Sequence, residues 1–109
     1  MESILTSIKK LLGIVEDYEH FDIDIILHIN SAFSILTQLG VGPDEGFAIR
    51  DKSSTWDQFL PPGKKLEFVK SYVGLRVRVL FDPPNNPTMM ESMNRMISEF
   101  EWRILHATI

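Results

Sequence analysis

The sequence predicts an all-α fold of about four helices, with one long loop between the second and the third. Apolar residues recur at spacings of three and four in four segments, and this spacing places side chains on one face of a helix. Glycine or proline follows closely after the first three segments, and both residue types commonly end helices. A chain of 109 residues has the length of one domain, so we expect a single domain over residues 1–109.

The first predicted helix covers residues 4–12. Ser3 is its expected N-cap, because a serine hydroxyl can accept a hydrogen bond from the free N–H groups of the first turn. Lys9 and Lys10 fall in the last turn, where the negative end of the helix dipole favours cations. Gly13 then ends the helix.

The second predicted helix covers residues 18–39 and begins in an acidic stretch, where carboxylates suit the positive end of the helix dipole. Gly40 ends it. Ile23 and Leu27 lie off its main apolar face, which indicates that a second body, such as a neighbouring subunit, contacts this helix. The main face consists of Ile25, Ile26, Ile29, Ala32, Phe33, Leu36 and Leu39.

A long loop is predicted at residues 40–63, where glycine and proline interrupt the helical pattern. Compact domains seldom carry loops of this length without a function. Residues 47–49, Phe-Ala-Ile, suggest a short strand pair. Residues 54–57 resemble a capping box, so we expect one helical turn there that runs through Phe59.

The third predicted helix covers residues 64–81, although its sequence permits two interpretations. Residues 75–79 alternate like a strand, whereas the apolar positions from Leu66 to Leu80 follow helical spacing. The length of the segment and its polar stripe favour a helix. Asp82 precedes Pro83, and a residue before proline is pushed out of the helical region.

The fourth predicted helix covers residues 87–106. Asn86 is its expected N-cap and Pro87 its first residue, where a missing N–H has no consequence. Glu91 precedes Arg95 by four residues, the favourable order for an ion pair on a helix. An apolar stripe, whose methionines we expect in the core, consists of Met89, Met93, Met96, Ile97, Phe100 and Ile104.

Several classes of chemistry find no support in the sequence. The chain has no cysteine, and its net charge of -4 comes without a basic patch for nucleic acid. No segment has the ~20 apolar residues of a membrane span. His20, Asp24 and His28 share a helix edge and could bind a metal ion, but no further ligands are evident, so we expect surface residues. We predict no enzyme activity, catalytic residues, cofactor or metal.

Four stretches of the chain carry a family resemblance: HFDIDIILHINSAFSILTQLGVGP, STWDQFL, LRVRVLFDPP and ISEFEWRI. In this order and spacing the sequence resembles the head-tail connector proteins, or adaptors, of tailed phages and prophages. The resemblance covers nearly the whole chain. It includes no catalytic motif.

The resemblance implies a mainly helical structural subunit of a ring, commonly twelvefold, that docks on the phage portal and extends the DNA channel toward the tail. The expected partners are further copies of the chain, the portal protein and a stopper or tail-completion protein. DNA would pass through without specific binding, which suits an acidic protein. The implied location is the head-tail interface of the virion, after assembly in the bacterial cytoplasm.

A ring contact joins two different surfaces of each subunit, so interface residues are expected on two sides of the fold. Arg76 and Arg78 have two interpretations: either their stems follow the core with the charged heads in water, or they pair with the acidic start of a neighbour's second helix. The rival function is a small helical DNA-binding or regulatory module. The candidate subunit or portal contacts are Ile23, Leu27, Phe47, Trp56, Arg76, Arg78, Met90 and Trp102.

Overall fold

A computed structural model describes residues 2–106 of the chain and shows an all-α fold, as predicted. The second helix begins four residues later than predicted, and the other bounds differ by no more than one residue. A single 3₁₀ turn, Trp56–Gln58, lies in the long loop. The helices are α1 (Ile4–Leu11), α2 (Asp22–Gln38), α3 (Lys64–Phe81) and α4 (Pro87–Leu105).

α3 packs against both α2 and α4, and α1 lies across α2 and α3. The rings of Phe21 and Phe81 lie 5.3 Å apart between centroids, so the start of α2 meets the end of α3. The rings of Phe68 and Phe100 lie 4.7 Å apart, so the start of α3 meets the later part of α4. α3 is therefore antiparallel to both neighbours. We call the two ends of this layer the Phe81 end and the Lys64 end.

α1 and α4 both begin with the predicted caps. The Ser3 hydroxyl accepts from the Thr6 N–H at 3.2 Å, and the Asn86 side chain accepts from the Thr88 N–H at 2.8 Å. Pro87 is the first residue of α4. These side chains satisfy backbone donors that have no partner within the helix.

α3 is helical throughout, so the strand-like alternation of residues 75–79 does not decide its structure. Tyr72, Val73 and Val77 are fully buried, because this helix is covered by α1, α2 and α4. α1 crosses close to Gly74, where a Cβ atom would lie 2.8 Å from the Leu11 side chain. A residue without a side chain allows this close approach.

The long loop contains the predicted helical turn, but the predicted strand pair is wrong. The Asn30 side chain accepts from the Ile49 N–H at 2.8 Å and donates to the Ile49 carbonyl at 3.0 Å. This amide takes the hydrogen bonds that a second strand would have made. Among residues 2–106 the one isolated bridge is between Ser3 and Thr55, and it ties the loop to the start of α1.

The expectation that Met89 and Met96 lie in the core is also wrong: their side chains are 53% and 49% exposed. α4 packs chiefly on α3, and one neighbour covers only a narrow stripe of a helix. Ile97 is the buried residue of α4, and Met93 is partly buried. α4 consequently presents apolar surface to its surroundings.

Candidate interaction surfaces

Two of the predicted contact residues, Ile23 and Leu27, lie together on the outer surface of α2. Their side chains are 83% and 65% exposed, and they are one turn apart on the same helix face. Large apolar side chains at such exposure, next to each other, are typical of a surface that a partner covers. The structure thus brings these two residues into one patch, although their role as contacts is still a prediction.

The loop before this patch is fixed by a buried lysine. Lys9 is 2% exposed, and its ammonium group donates to the carbonyls of Glu16 at 2.9 Å and Tyr18 at 2.7 Å. It also lies 2.8 Å from the Asp22 carboxylate at the start of α2. The buried ammonium thus donates two hydrogen bonds to carbonyls, and the Asp22 carboxylate balances its charge. The acidic loop is therefore held against α1.

Sequence reasoning missed this role of Lys9, which it assigned only to the helix dipole. A signal was present, since Lys9 follows Leu5 by four residues and precedes Leu12 by three, and so falls on the apolar side of α1. A lysine on a buried face requires acceptors. The acidic stretch that follows supplies them.

Carboxylates are concentrated in the stretch of chain that leads up to and includes Ile23. The segment Glu16–Asp24 contains five of the chain's fifteen Asp and Glu, and no Lys or Arg occurs between Lys10 and Arg50. Outside this segment ten carboxylates face eleven Lys and Arg, so the segment accounts for the net negative charge. We define the acidic patch as Ile23 and Leu27 with the exposed residues Glu16, Asp17, Glu19 and Asp24.

A second surface is a groove of about 600 Å³ at the Lys64 end, where the end of α2, the start of α3 and the end of α4 meet. Its charged lining is cationic, with Lys64, Lys65 and Arg103 and no carboxylate. Leu105 lies at its edge and is 60% exposed. We define the cationic groove by these residues and its apolar lining, Leu39, Val41, Phe68, Val69 and Ile104.

The cations of this groove are not equivalent. Arg103 pairs with Glu99 on α4 at 2.7 Å. Lys64 and Lys65 are exposed and have no ion-pair partner among residues 2–106. The sequence alone does not indicate a site at these lysines, because the groove forms only when three distant segments fold together.

The predicted contact residues Phe47 and Trp56 contribute to the core of the single chain. Trp56 is 3% exposed, and its indole N–H donates to the Ser7 hydroxyl at 2.8 Å. The Phe47 ring packs 5.1 Å from Phe33 and 5.2 Å from Phe59. These contacts hold the long loop against α1 and α2. Phe47 and Trp56 are therefore not exposed side chains that a partner could contact.

The two candidate arginines have acceptors within their own chain. Arg76 contacts the Glu101 carboxylate at 3.3 Å, and Arg78 donates to the Asp82 carbonyl at 2.7 Å. The same Glu101 oxygen accepts from the buried Tyr72 hydroxyl at 2.6 Å. Burial, followed by this hydrogen bond, raises the pKa of the Tyr72 phenol well above its ordinary value.

Met90 and Trp102 lie near opposite ends of α4, about 18 Å apart at 1.5 Å per residue, and therefore do not form one patch. Met90 is partly buried. Trp102 is 61% exposed and stacks on His106 with a centroid distance of 4.3 Å. It lies at the Lys64 end, beside Arg103 of the cationic groove.

His20 packs edge-on against Phe21 at 4.8 Å. Within residues 2–106 no three His, Cys, Asp or Glu side chains are grouped as a metal ion would need them.

The helices of this part of the chain include none with the length and apolar character of a membrane span.

A family model described as "Phage connector protein" matches residues 4–108. The match includes all four helices and both candidate surfaces. No curated protein and no solved structure matches the chain significantly.

Proposed function

The chain belongs to the phage connector protein family, and we propose that it is one structural, non-enzymatic subunit of a head-to-tail connector ring. In this proposal the ring, with about twelve copies as the family resemblance suggests, docks on the portal at the head-tail interface of the virion. It continues the DNA channel toward the tail, where a stopper or tail-completion protein binds next.

The family match over residues 4–108 is the observation that carries this proposal. Because it spans all four helices, no part of the fold remains for which a separate activity must be found. A connector role concerns the whole chain rather than a local motif.

The arrangement of exposed surfaces supports a ring. Closed rings of identical subunits need two different surfaces on each subunit that fit each other. The acidic patch and the cationic groove are two such surfaces, and they lie at opposite ends of α2. A self-complementary dimer would need only one.

Charge supports the passage of DNA. The chain carries a net charge of -4, and a negative wall does not attract the phosphate backbone. A conduit through which DNA slides benefits from weak attraction, whereas a DNA-binding module needs a basic surface.

Assembly would take place in the bacterial cytoplasm before the particle is complete.

The proposal is tested by mixing the purified chain with the portal protein of the same phage and measuring the mass of the product by native mass spectrometry. We expect a portal complex that has gained a defined number of copies of the chain. The chain alone and the portal alone serve as controls. A chain that never joins the portal but retards duplex DNA in a gel would instead indicate a small DNA-binding module.

A further inference from the structure

We infer that the acidic patch of one subunit binds in the cationic groove of the next copy of the same chain, and that this contact closes the ring. The inference rests on the proposed function for the ring itself. It goes further by naming the two surfaces that meet and the residues that pair.

The charges of the two surfaces are complementary. The acidic patch carries four exposed carboxylates and no cation, and the cationic groove carries Lys64, Lys65 and Arg103 and no carboxylate. Lys64 and Lys65 have no partner in their own chain within residues 2–106. A second copy would bring Glu19 or Asp24 to these free ammonium groups, and such complementarity favours one orientation of binding.

The apolar parts of the two surfaces also fit. Ile23 and Leu27 project from α2 as two adjacent aliphatic side chains. The groove offers about 600 Å³ lined by Leu39, Phe68 and Ile104 among others, which is room for several side chains. An apolar centre with charges at its rim is the usual organisation of a specific protein interface.

The two surfaces of one chain cannot reach each other. Ile23 lies near the start of α2 and Leu39 directly follows its end, so about 24 Å of helix separates them at 1.5 Å per residue. The acidic patch of a chain therefore cannot fill its own groove, but it can fill the groove of another copy. Contacts of this head-to-tail kind continue from copy to copy, and they form a ring when the rotation between neighbours closes.

A competing groove between α1, α3 and α4 is less suited to the acidic patch. It has a similar volume and includes the exposed Leu11 and Met96. Its charges are mixed, however, and its Lys70 already pairs with Glu2 at 2.8 Å. Its second cation, Arg78, already donates to Asp82, and the groove also presents Glu67, so it attracts carboxylates less than the cationic groove does.

Burial of the lysine pair also removes a conflict with the channel. Lys64 and Lys65 are exposed in the isolated chain, and free lysines on a channel wall would bind phosphate and slow the passage of DNA. When a neighbour's carboxylates cover them, the ring keeps an acidic or neutral wall.

Disulfide trapping tests this pairing directly, because the chain has no cysteine of its own. We replace Ile23→Cys and Leu105→Cys in one chain and oxidise it with and without portal. The expected product is a ladder of linked oligomers that ends at a closed ring. The matched control keeps Ile23→Cys and places the second cysteine at Arg95, which is 73% exposed on α4; it should link only by random collision and give a much lower yield of the ladder.

Charge reversal provides the second measurement. Lys64→Glu together with Lys65→Glu should lower the yield of the ladder about tenfold, as expected when like charges meet across an interface. Adding Glu19→Lys and Asp24→Lys to the same chain should restore it. A ladder that is insensitive to the reversal, or a linked yield equal to that of the control, would refute the pairing.

Wild-type binding to the portal, measured in parallel, separates this inference from the proposed function. If the wild type joins the portal while the cysteine pair links no better than its control, the pairing is wrong and the connector role stands. If the ladder forms but the wild type never joins the portal, the pairing stands and the connector role is refuted.

Discussion

The Lys9 ammonium group lies 2.8 Å from the Asp22 carboxylate, and this contact joins the end of α1 to the start of α2. The lysine side chain is 2% exposed, whereas the Asp22 side chain is 23% exposed. The same ammonium group donates hydrogen bonds to two backbone carbonyls of the acidic loop. A single buried cation thus positions the acidic patch on which the proposed ring contact depends.

Lys9→Met should lower the free energy of unfolding by about 2–4 kcal/mol, because two carbonyls lose their donor and the Asp22 carboxylate loses its cation while the apolar stem is kept. Chemical denaturation measures this change. Lys10→Met is the matched control, since Lys10 is exposed, and it should cost less than about 0.5 kcal/mol. Equal effects of the two substitutions would show that the buried contact contributes little.

Asn30→Ala should destabilise the chain by about 2–3 kcal/mol, because the buried backbone N–H and carbonyl of Ile49 both lose their partner. The adjacent substitution Ser31→Ala, on the exposed side of α2, should leave the free energy of unfolding nearly unchanged. Hydrogen exchange at the Ile49 amide gives a local measurement. Unchanged protection of that amide in Asn30→Ala would contradict this account of the loop.

Gly42→Ala should be more destabilising than Gly40→Ala, although the two glycines have nearly equal φ angles of +87° and +86°. The backbone cost of a left-handed alanine, about 1–2 kcal/mol, applies to both. Only at Gly42 would the new Cβ atom clash with a neighbour, the buried Phe59 ring. The clash should add about 1–3 kcal/mol, and equal melting temperatures for the two variants would refute it.

The chain should lose stability as the pH rises above about 10, the ordinary pKa of tyrosine. The pKa of Tyr72 is raised in the folded chain by burial and by its hydrogen bond to Glu101, so the folded state holds this proton more tightly than the unfolded state. The stabilisation is complete below the unfolded pKa and is lost as pH rises above it, at no more than about 1.4 kcal/mol per pH unit.

Tyr72→Phe removes this titration, so its free energy of unfolding should depend less on pH between about 10 and 11.5 than that of the wild type. Urea denaturation at several pH values measures the slope. Tyr18→Phe, a change at a side chain that is 49% exposed, should retain the wild-type slope. A wild-type slope in Tyr72→Phe would contradict the role of the buried phenol.

The sequence predicts the helices of this chain well, because their signals are local. Ser3 and Asn86 cap α1 and α4 as expected, and the four helices occupy nearly the predicted ranges. Caps, prolines and apolar spacing act within one or two turns, and residues in that span can be read from the chain without knowledge of tertiary contacts.

The sequence does not predict contacts that depend on which helices meet. The stripe of Met89 and Met96 has the spacing of a core face, yet both side chains are exposed because α3 is the main neighbour of α4. Tryptophan is a common residue type in interfaces, yet Trp56 is buried against α1, and its indole N–H donates to the Ser7 hydroxyl. The same applies to the cationic groove, whose residues come from α3, α4 and the segment that follows α2.

The prediction for Ile23 and Leu27 shows how far a sequence can predict an interaction surface. Their positions off the apolar face of α2 indicated exposure, and the structure places both on the outside. The surface that we propose as their partner could not be predicted from the pattern. To propose that partner, one has to know that the cationic groove lies at the far end of the same helix.

The central claim is that this chain builds a ring on the portal, and electron microscopy of the purified portal mixed with the chain tests it most directly. We predict an additional closed ring of density, coaxial with the portal, whose channel continues that of the portal. Portal particles that keep their original outline in the presence of excess chain, or that bind it as scattered single copies, would contradict the claim.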